Sequence, residues 1–270
     1  MIAKVINGQH LRDAFEERVR VAYGRIMQIP TYAALVHGDI TVNPVIRGGK
    51  IGDDVWVDNM VQMGTYVAAT VPMLTGSRES LLRHPDPKYQ RIARHFGVHA
   101  RGETAHDIIA FRDIQRGGYD LKVAKATYQA PECVLEYIAR SPLRSEDSNK
   151  AIATLAVATT LEGLSVLISP QWVENWPRKF DHPNIERMLD FAREHADEDA
   201  THKRKGHYEM GLDIMKDRRL EDYPLLLREM EMTATFFEQL GMALHQRNLM
   251  RKEYPTLYPT YSFSQVKPAL

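Results

Sequence analysis

The sequence predicts an all-α protein, a single bundle of about seven helices, on three observations. Apolar residues recur at spacings of three and four through most of the 270 residues, the period of a helix with one buried face. Alternation at period two, the mark of a half-buried strand, is almost absent. Glycine and proline, 16 and 14 residues, gather mainly where the periodic stretches end.

Taken in order, the first helix spans about 9–27 and is closed by Pro30. Residues 28–52, containing Gly48-Gly49, form the one long connection and read as a lid or packing loop. A second helix covers 53–74, and a third 87–117, entered past Pro85 and Pro87 and stopped by Gly117-Gly118. The fourth, 130–140, stops before Pro142, and the fifth, 148–169, before Pro170. Pro177 and Pro183 separate it from a sixth over 183–216, and a seventh covers 221–251. The closing YPTLYPTYSFSQVKPAL has three prolines, three tyrosines and one charge, so it reads as an arm strapped across the bundle or a neighbouring subunit. With no internal repeat, low-complexity tract or composition break, the chain reads as one domain over 1–270, its core at about 28–251 and its arm at 252–270.

Thirty-five Lys and Arg balance 35 Asp and Glu, so no net field draws the chain to nucleic acid or an anionic membrane. Hydrophobic residues at 44% fit a globular chain and argue against disorder. The single cysteine, Cys133, excludes an intramolecular disulfide and a cysteine-built metal site, and fits a reducing cytoplasm. Charges run through MIAKVINGQHLRDAFEERV, so it is not a secretory signal. The least polar stretch, Ala151 to Pro170, is about as long as a membrane span needs, but Glu162 and three threonines interrupt it, and it reads as a buried helix.

The strongest local signal is His195-x-x-x-Asp199-x-x-His202. At about 100° per residue, offsets of four and seven fall within roughly 40° of the first residue, so two imidazoles and a carboxylate share a narrow stripe. Such donors suit iron, manganese or zinc better than calcium; the alternative is a solvated helix face. Asp199 is preferred to Glu198 by pattern, and Asp197 points away. Upstream, Glu103-x-x-His106 repeats the carboxylate–imidazole unit of helical dimetal sites. His99 precedes Glu103 by four residues and reads as a supporting or surface histidine more than as a ligand. Glu162 is the only charge between Lys150 and Glu174, and a carboxylate on an apolar helix needs exposure, a proton, an ion-pair partner or a metal.

In order and spacing these features resemble the haem-oxygenase-like diiron oxidases and oxygenases, related in fold to the TenA thiaminases and the pyrroloquinoline-quinone synthase C proteins. The stretch ETAHDIIAFRDIQRGGYD looks like the family's run of Glu, His and then Asp before a glycine turn, and Glu162 like its middle-helix glutamate. His195, Asp199 and His202 look like its late triplet, and the likeness covers roughly 28–216. The resemblance implies the ligands Glu103, His106, Glu162, His195, Asp199 and His202, two iron ions cycling between Fe2+ and Fe3+, O2 as cosubstrate, an external electron donor and a homodimer. Tyr66 and Tyr208 are candidates beside the metals, with packing as the alternative.

The sequence departs from the amine-N-oxygenating members, which bring a further glutamate from an early helix: here no carboxylate lies between Asp58 and Glu79, and Gln62 and Tyr66 are the nearest polar residues. Arg94, Arg101, Arg112 and Lys203 are the candidate partners for a substrate carboxylate. The resulting expectation is a non-haem diiron, O2-dependent oxidase or oxygenase that carries out oxidative desaturation, cleavage or N-oxygenation of a small amine or amino-acid-like substrate in natural-product biosynthesis. The alternatives are a fatty-acid oxidative decarboxylase of the same family, or a cofactor-free TenA-like enzyme or binding protein.

Overall fold

The computed structural model describes residues 8–37, 51–180, 182–200, 206–218 and 220–254; of 198–200 and 220 only the backbone is described. The described chain is all-α, and its only β contact is an isolated bridge between Ile51 and Phe180. Its helices are α1 (Gly8–Ile26), α2 (Pro30–His37), α3 (Asp53–Val67), α4 (Thr70–Leu82), α5 (Pro87–Gly102), α6 (His106–Arg116), α7 (Leu121–Thr127) and α8 (Glu132–Leu143). There follow α9 (Ser148–Ala151), α10 (Ala153–Lys179), α11 (Asp190–Ala200), α12 (His207–Met215) and α13 (Tyr223–Glu253). Short 3₁₀ turns at Ile185–Met188 and Leu220–Asp222 lead into α11 and α13.

Three helix starts, those of α5, α7 and α9, are capped by aspartate side chains. Asp86 accepts from the Lys88 amide (2.9 Å) ahead of Pro87, Asp120 from those of Lys122 and Val123 (2.8 and 3.1 Å), and Asp147 from that of Asn149 (2.6 Å). Gly118, at φ 91°, takes the left-handed conformation that closes the turn after α6.

The centre of the fold is α10, packed by α1, α2, α11, α12 and α13. The stretch Ser148–Lys179 has the length and composition to cross a membrane, but 78% of its most apolar window is buried inside the molecule, which makes it the core helix. Its threonines fit that setting because Thr159 and Thr160 return their hydroxyls to the carbonyls of Leu155 and Ala156. Trp172, Trp176 and Trp56 pack ring on ring, and the Trp176 indole donates to the Leu35 carbonyl at 2.8 Å, fixing α2 on α10.

Several boundaries differ from the sequence expectation. Pro170 does not stop α10, which runs through it and through Pro177, and Pro142 lies inside α8. Burial on most sides holds α10 helical despite the lost backbone bonds. Pro30 opens α2 instead of closing α1, so the expected loop is in part a buried helix; residues 38–50 lie outside the described residues, as does the arm beyond Tyr254. The helices expected over 53–74, 87–117 and 183–216 are each divided, the last two at the candidate site.

Candidate metal centre

Helix α5 ends at Gly102, and Glu103 is its C-cap, its amide donating to the His99 carbonyl at 2.9 Å. Ala105 then takes φ 78°, the only non-glycine residue with positive φ among those described, before His106 opens α6. Holding alanine there costs ~1 kcal/mol, the kind of strain that collects at functional sites. The consequence is local convergence: His106 Nδ1 donates to Glu103 Oε2 at 3.0 Å. Glu103-x-x-His106 is thus a turn between two helices, not the i, i+3 pair of one continuous helix.

The other oxygen of Glu103 faces His99. His99 is 1% exposed, and its Nε2 lies 2.6 Å from Glu162 Oε1 and 3.5 Å from Glu103 Oε1. The structure thereby puts His99 among the donor atoms themselves, where the sequence reading had it as a supporting residue. Two groups of donors result, each with its ligand atoms within 4.8 Å of one another: His99, Glu103, Glu162 and His207, and Glu103, His106 and His195. Glu103 belongs to both.

His207 is the member that sequence reasoning missed. On a continuous helix it would stand about 120° from His195, off the stripe. Gly206 instead is the non-helical N-cap, with ψ 168°, of a separate helix α12 that begins at His207, whose ring stacks on His99 with centroids 4.2 Å apart. Gly102 makes room, since a Cβ there would come within 2.5 Å of the His207 ring. Gly163 does the same for the second residue of α12, Tyr208, which packs beside Val19.

His195 is placed by a longer chain of support. Asp113 Oδ2 accepts from the Phe191 amide at 2.9 Å, tying the first turn of α11 to α6, and the Phe191 carbonyl accepts from His195 Nδ1 at 2.8 Å. That leaves His195 Nε2 as the nitrogen available to a metal, the arrangement common to metal-binding histidines. Burial pushes the Asp113 carboxyl up to about 7. Of the sequence triplet, the side chain of Asp199 and all of His202 lie outside the described residues, and Asp197 is exposed.

The electrostatics fit a divalent cation. Glu103 and Glu162 are both 7% exposed, and among the described residues their ion-pair partners are histidines alone. Burial opposes a charge on His99, but Glu162 and Glu103 outweigh it and hold the imidazolium up to about 10. Burial likewise works against the Glu103 carboxylate, yet hydrogen bonds from His106 and His99 keep it well below its usual range. Burial lowers His195, aided by His106, and lowers His207, aided by His99. Neutral imidazoles and ionised carboxylates are the donors that iron, manganese and zinc take.

A cavity of about 70 Å³ opens onto Glu103, Glu162 and His195. Tyr66, Leu164, Ile168, Trp172, Phe191 and Phe237 form much of its wall, which includes no Lys or Arg among the described residues. Burial raises the Tyr66 phenol, keeping it a neutral donor. Of the candidate cations, Arg94, Arg101 and Arg112 are exposed, and Lys203 lies outside the described residues. Gln62 is turned away, donating to Asp58 and to the Tyr128 carbonyl.

No family model matches the sequence, and no curated protein matches it. Solved structures do match its shape. A domain of unknown function with a haem-oxygenase-like fold from Shewanella denitrificans OS217 superimposes with a TM-score of 0.73 at 14% identity, over 93% of this chain and 98% of that one. A TenA homologue from Pseudomonas syringae pv. tomato DC3000 gives 0.68 at 10% identity, over 87% and 92%. The chain has the haem-oxygenase-like helical fold. At these identities the likeness carries the fold and leaves the chemistry to the site.

Proposed function

We propose that this protein is a non-haem diiron enzyme that uses O2 to oxidise a small amine or amino-acid-like substrate, in a biosynthetic role. The observation that carries the reading is Glu103, with one oxygen toward His99 and the other toward His106, as a carboxylate shared by two metal ions would be. One ion would be held by His99, Glu103, Glu162 and His207 and the other by Glu103, His106 and His195, with Asp199 and His202 as further ligands from the resemblance. Bound iron would supply the electrons for O2 reduction and the oxidant made from it, and an external donor would restore the ferrous state.

The chain's own contribution is to fix the donors, through the Asp113 anchor and the turn at Ala105, and to keep water out with the aromatic cavity wall. The small cavity favours a small substrate. Its lack of a cation makes a metal the natural partner of any substrate carboxylate. Neither early carboxylate supplies the extra ligand of N-oxygenating relatives: Asp58 is bound to Arg251 and Arg247, and Glu79 is exposed. Oxidative desaturation or cleavage is therefore favoured over N-oxygenation. The apolar wall supports a second reading, oxidative decarboxylation of a fatty acid, and the structural likeness to a TenA homologue supports a third, without iron. As in the resemblance, the working form would be a homodimer in the cytoplasm.

The test is anaerobic loading with ferrous iron, metal counting, then mixing with O2 with and without amines, amino acids or fatty acids. About two irons per chain and a transient visible band, both lost in His195→Ala and Glu162→Ala, are the expected result. The ligand that triggers the band identifies the substrate class. No bound iron and no O2 reaction would overturn the reading and leave a metal-free role.

A further inference from the structure

A second cavity, of about 290 Å³, lies between α8 and α13, and its composition differs from that of the first. Arg140, Arg144 and Arg228 line it, together with Tyr137 and Phe236. Two of its lining residues are about nine-tenths buried or more and hold an unsatisfied polar atom. Arg144, 9% exposed, spends Nε and Nη2 on Glu229, while its Nη1 has no hydrogen-bond partner among the described residues. The hydroxyl of Tyr137, 5% exposed, has none either. Burying a donor without a partner costs about 1–3 kcal/mol, so two on residues that line one cavity call for an acceptor there.

Nearby carboxylates do not supply it. Glu229 is taken by Arg144, Glu231 by Arg18 and Arg25 at 3.4 and 3.2 Å, and Glu136 by Arg140 at 3.6 Å. Arg228 has no ion pair among the described residues and stands exposed beside the cavity. We propose that this cavity is an oxyanion-binding site in which Arg144 Nη1 and the Tyr137 hydroxyl donate to a carboxylate or phosphate group, with Arg228 closing over it.

The site is separate from the metal centre but close to it. Tyr137 stacks on Phe236, with ring centroids 4.5 Å apart, and both meet Tyr66 edge to face at 6.0 and 5.4 Å. Tyr66 lines the metal cavity, so a single aromatic layer divides the two spaces.

Calorimetric titration of the full metal-free chain with inorganic phosphate and with benzoate tests the assignment without reference to iron or turnover. Saturable binding is expected, weakened about tenfold in Tyr137→Phe, which keeps the ring stack and removes only the donor. The exposed variant Arg228→Gln, which disturbs no packing, should weaken it similarly. Binding of phosphate alone marks a phosphate-bearing ligand; binding of benzoate, alone or with phosphate, marks a carboxylate. Failure of both anions to saturate, or equal affinity in wild type and both variants, would overturn the proposal.

Discussion

Asp58 on α3 is fully buried, and two arginines hold it: Arg251 Nη2 at 2.9 Å and Arg247 Nη2 at 3.3 Å, with Gln62 donating to it as well. About two turns further along the same helix, Tyr66 faces a cavity whose buried carboxylates, Glu103 and Glu162, are paired among the described residues with imidazoles alone. Both clusters solve the problem of a buried negative charge, but with cations of different kinds. A guanidinium stays charged at any accessible pH and does not coordinate metal, so the Asp58 cluster is a permanent clasp between α3 and the end of α13. An imidazole can give up its proton and offer a lone pair to a metal, so the Glu103 cluster can exchange protons for metal ions.

The largest expected effect is at the shared ligand. Glu103→Gln keeps the shape and removes the charge from both donor groups, so metal content should fall from about two per chain toward zero, with affinity down by more than about 100-fold. Thermal stability of the metal-free protein should change much less. Retention of both irons would show that Glu103 is not shared.

Asp58→Asn should do the reverse. Removing the charge leaves the buried Arg251 and the half-buried Arg247 with no carboxylate between them, a loss of about 3 kcal/mol read by denaturant unfolding. Iron stoichiometry in the folded fraction should stay at the wild-type value. If iron binding falls in parallel with stability, the two clusters form one functional unit and the contrast between them fails.

How much of this was legible in the sequence follows from which signals are local. Helical periodicity gave the all-α class and placed all seven expected helical regions to within a few residues at one end or both. Glu103, His106, Glu162 and His195 each stand out from their neighbours by chemistry, and the structure brings them together. What the sequence concealed are breaks in helices. Nothing in the residue types marks Ala105 as left-handed, since alanine is the strongest helix former and has none of the tolerance of glycine or asparagine for positive φ, so the periodicity reads as continuous across it. The same assumption across 201–206 put His207 on the wrong face. His99 was undervalued because its value lies in its distance to Glu162, 63 positions away, which no spacing rule reports.

Proton exchange at His99 sharpens the contrast further. Held up to about 10 by Glu162 and Glu103 against the opposing effect of burial, His99 carries a proton at neutral pH that a metal must displace. Calorimetry of ferrous iron binding near pH 7 in buffers of different ionisation enthalpy should report release of about one proton that disappears in His99→Gln. The folded-state value lies above the ordinary value of 6.5, so the group's stabilisation of the metal-free protein is complete below about 6.5 and is lost as pH rises through about 10. His99→Gln should flatten that alkaline slope.

The smallest effect is at the turn that joins the two donor groups. Ala105 holds a left-handed backbone, so Ala105→Gly should relieve strain of ~1 kcal/mol while loosening the unfolded chain by somewhat less. A small net gain, a few tenths of a kcal/mol in unfolding free energy, is the expected balance. The informative measurement is the iron affinity of the same variant. If the strained turn serves only to reverse the chain, affinity stays at the wild-type value. If its rigidity holds Glu103 and His106 at their 3.0 Å separation, glycine weakens metal binding even as the protein becomes more stable, and the strain is then part of the site.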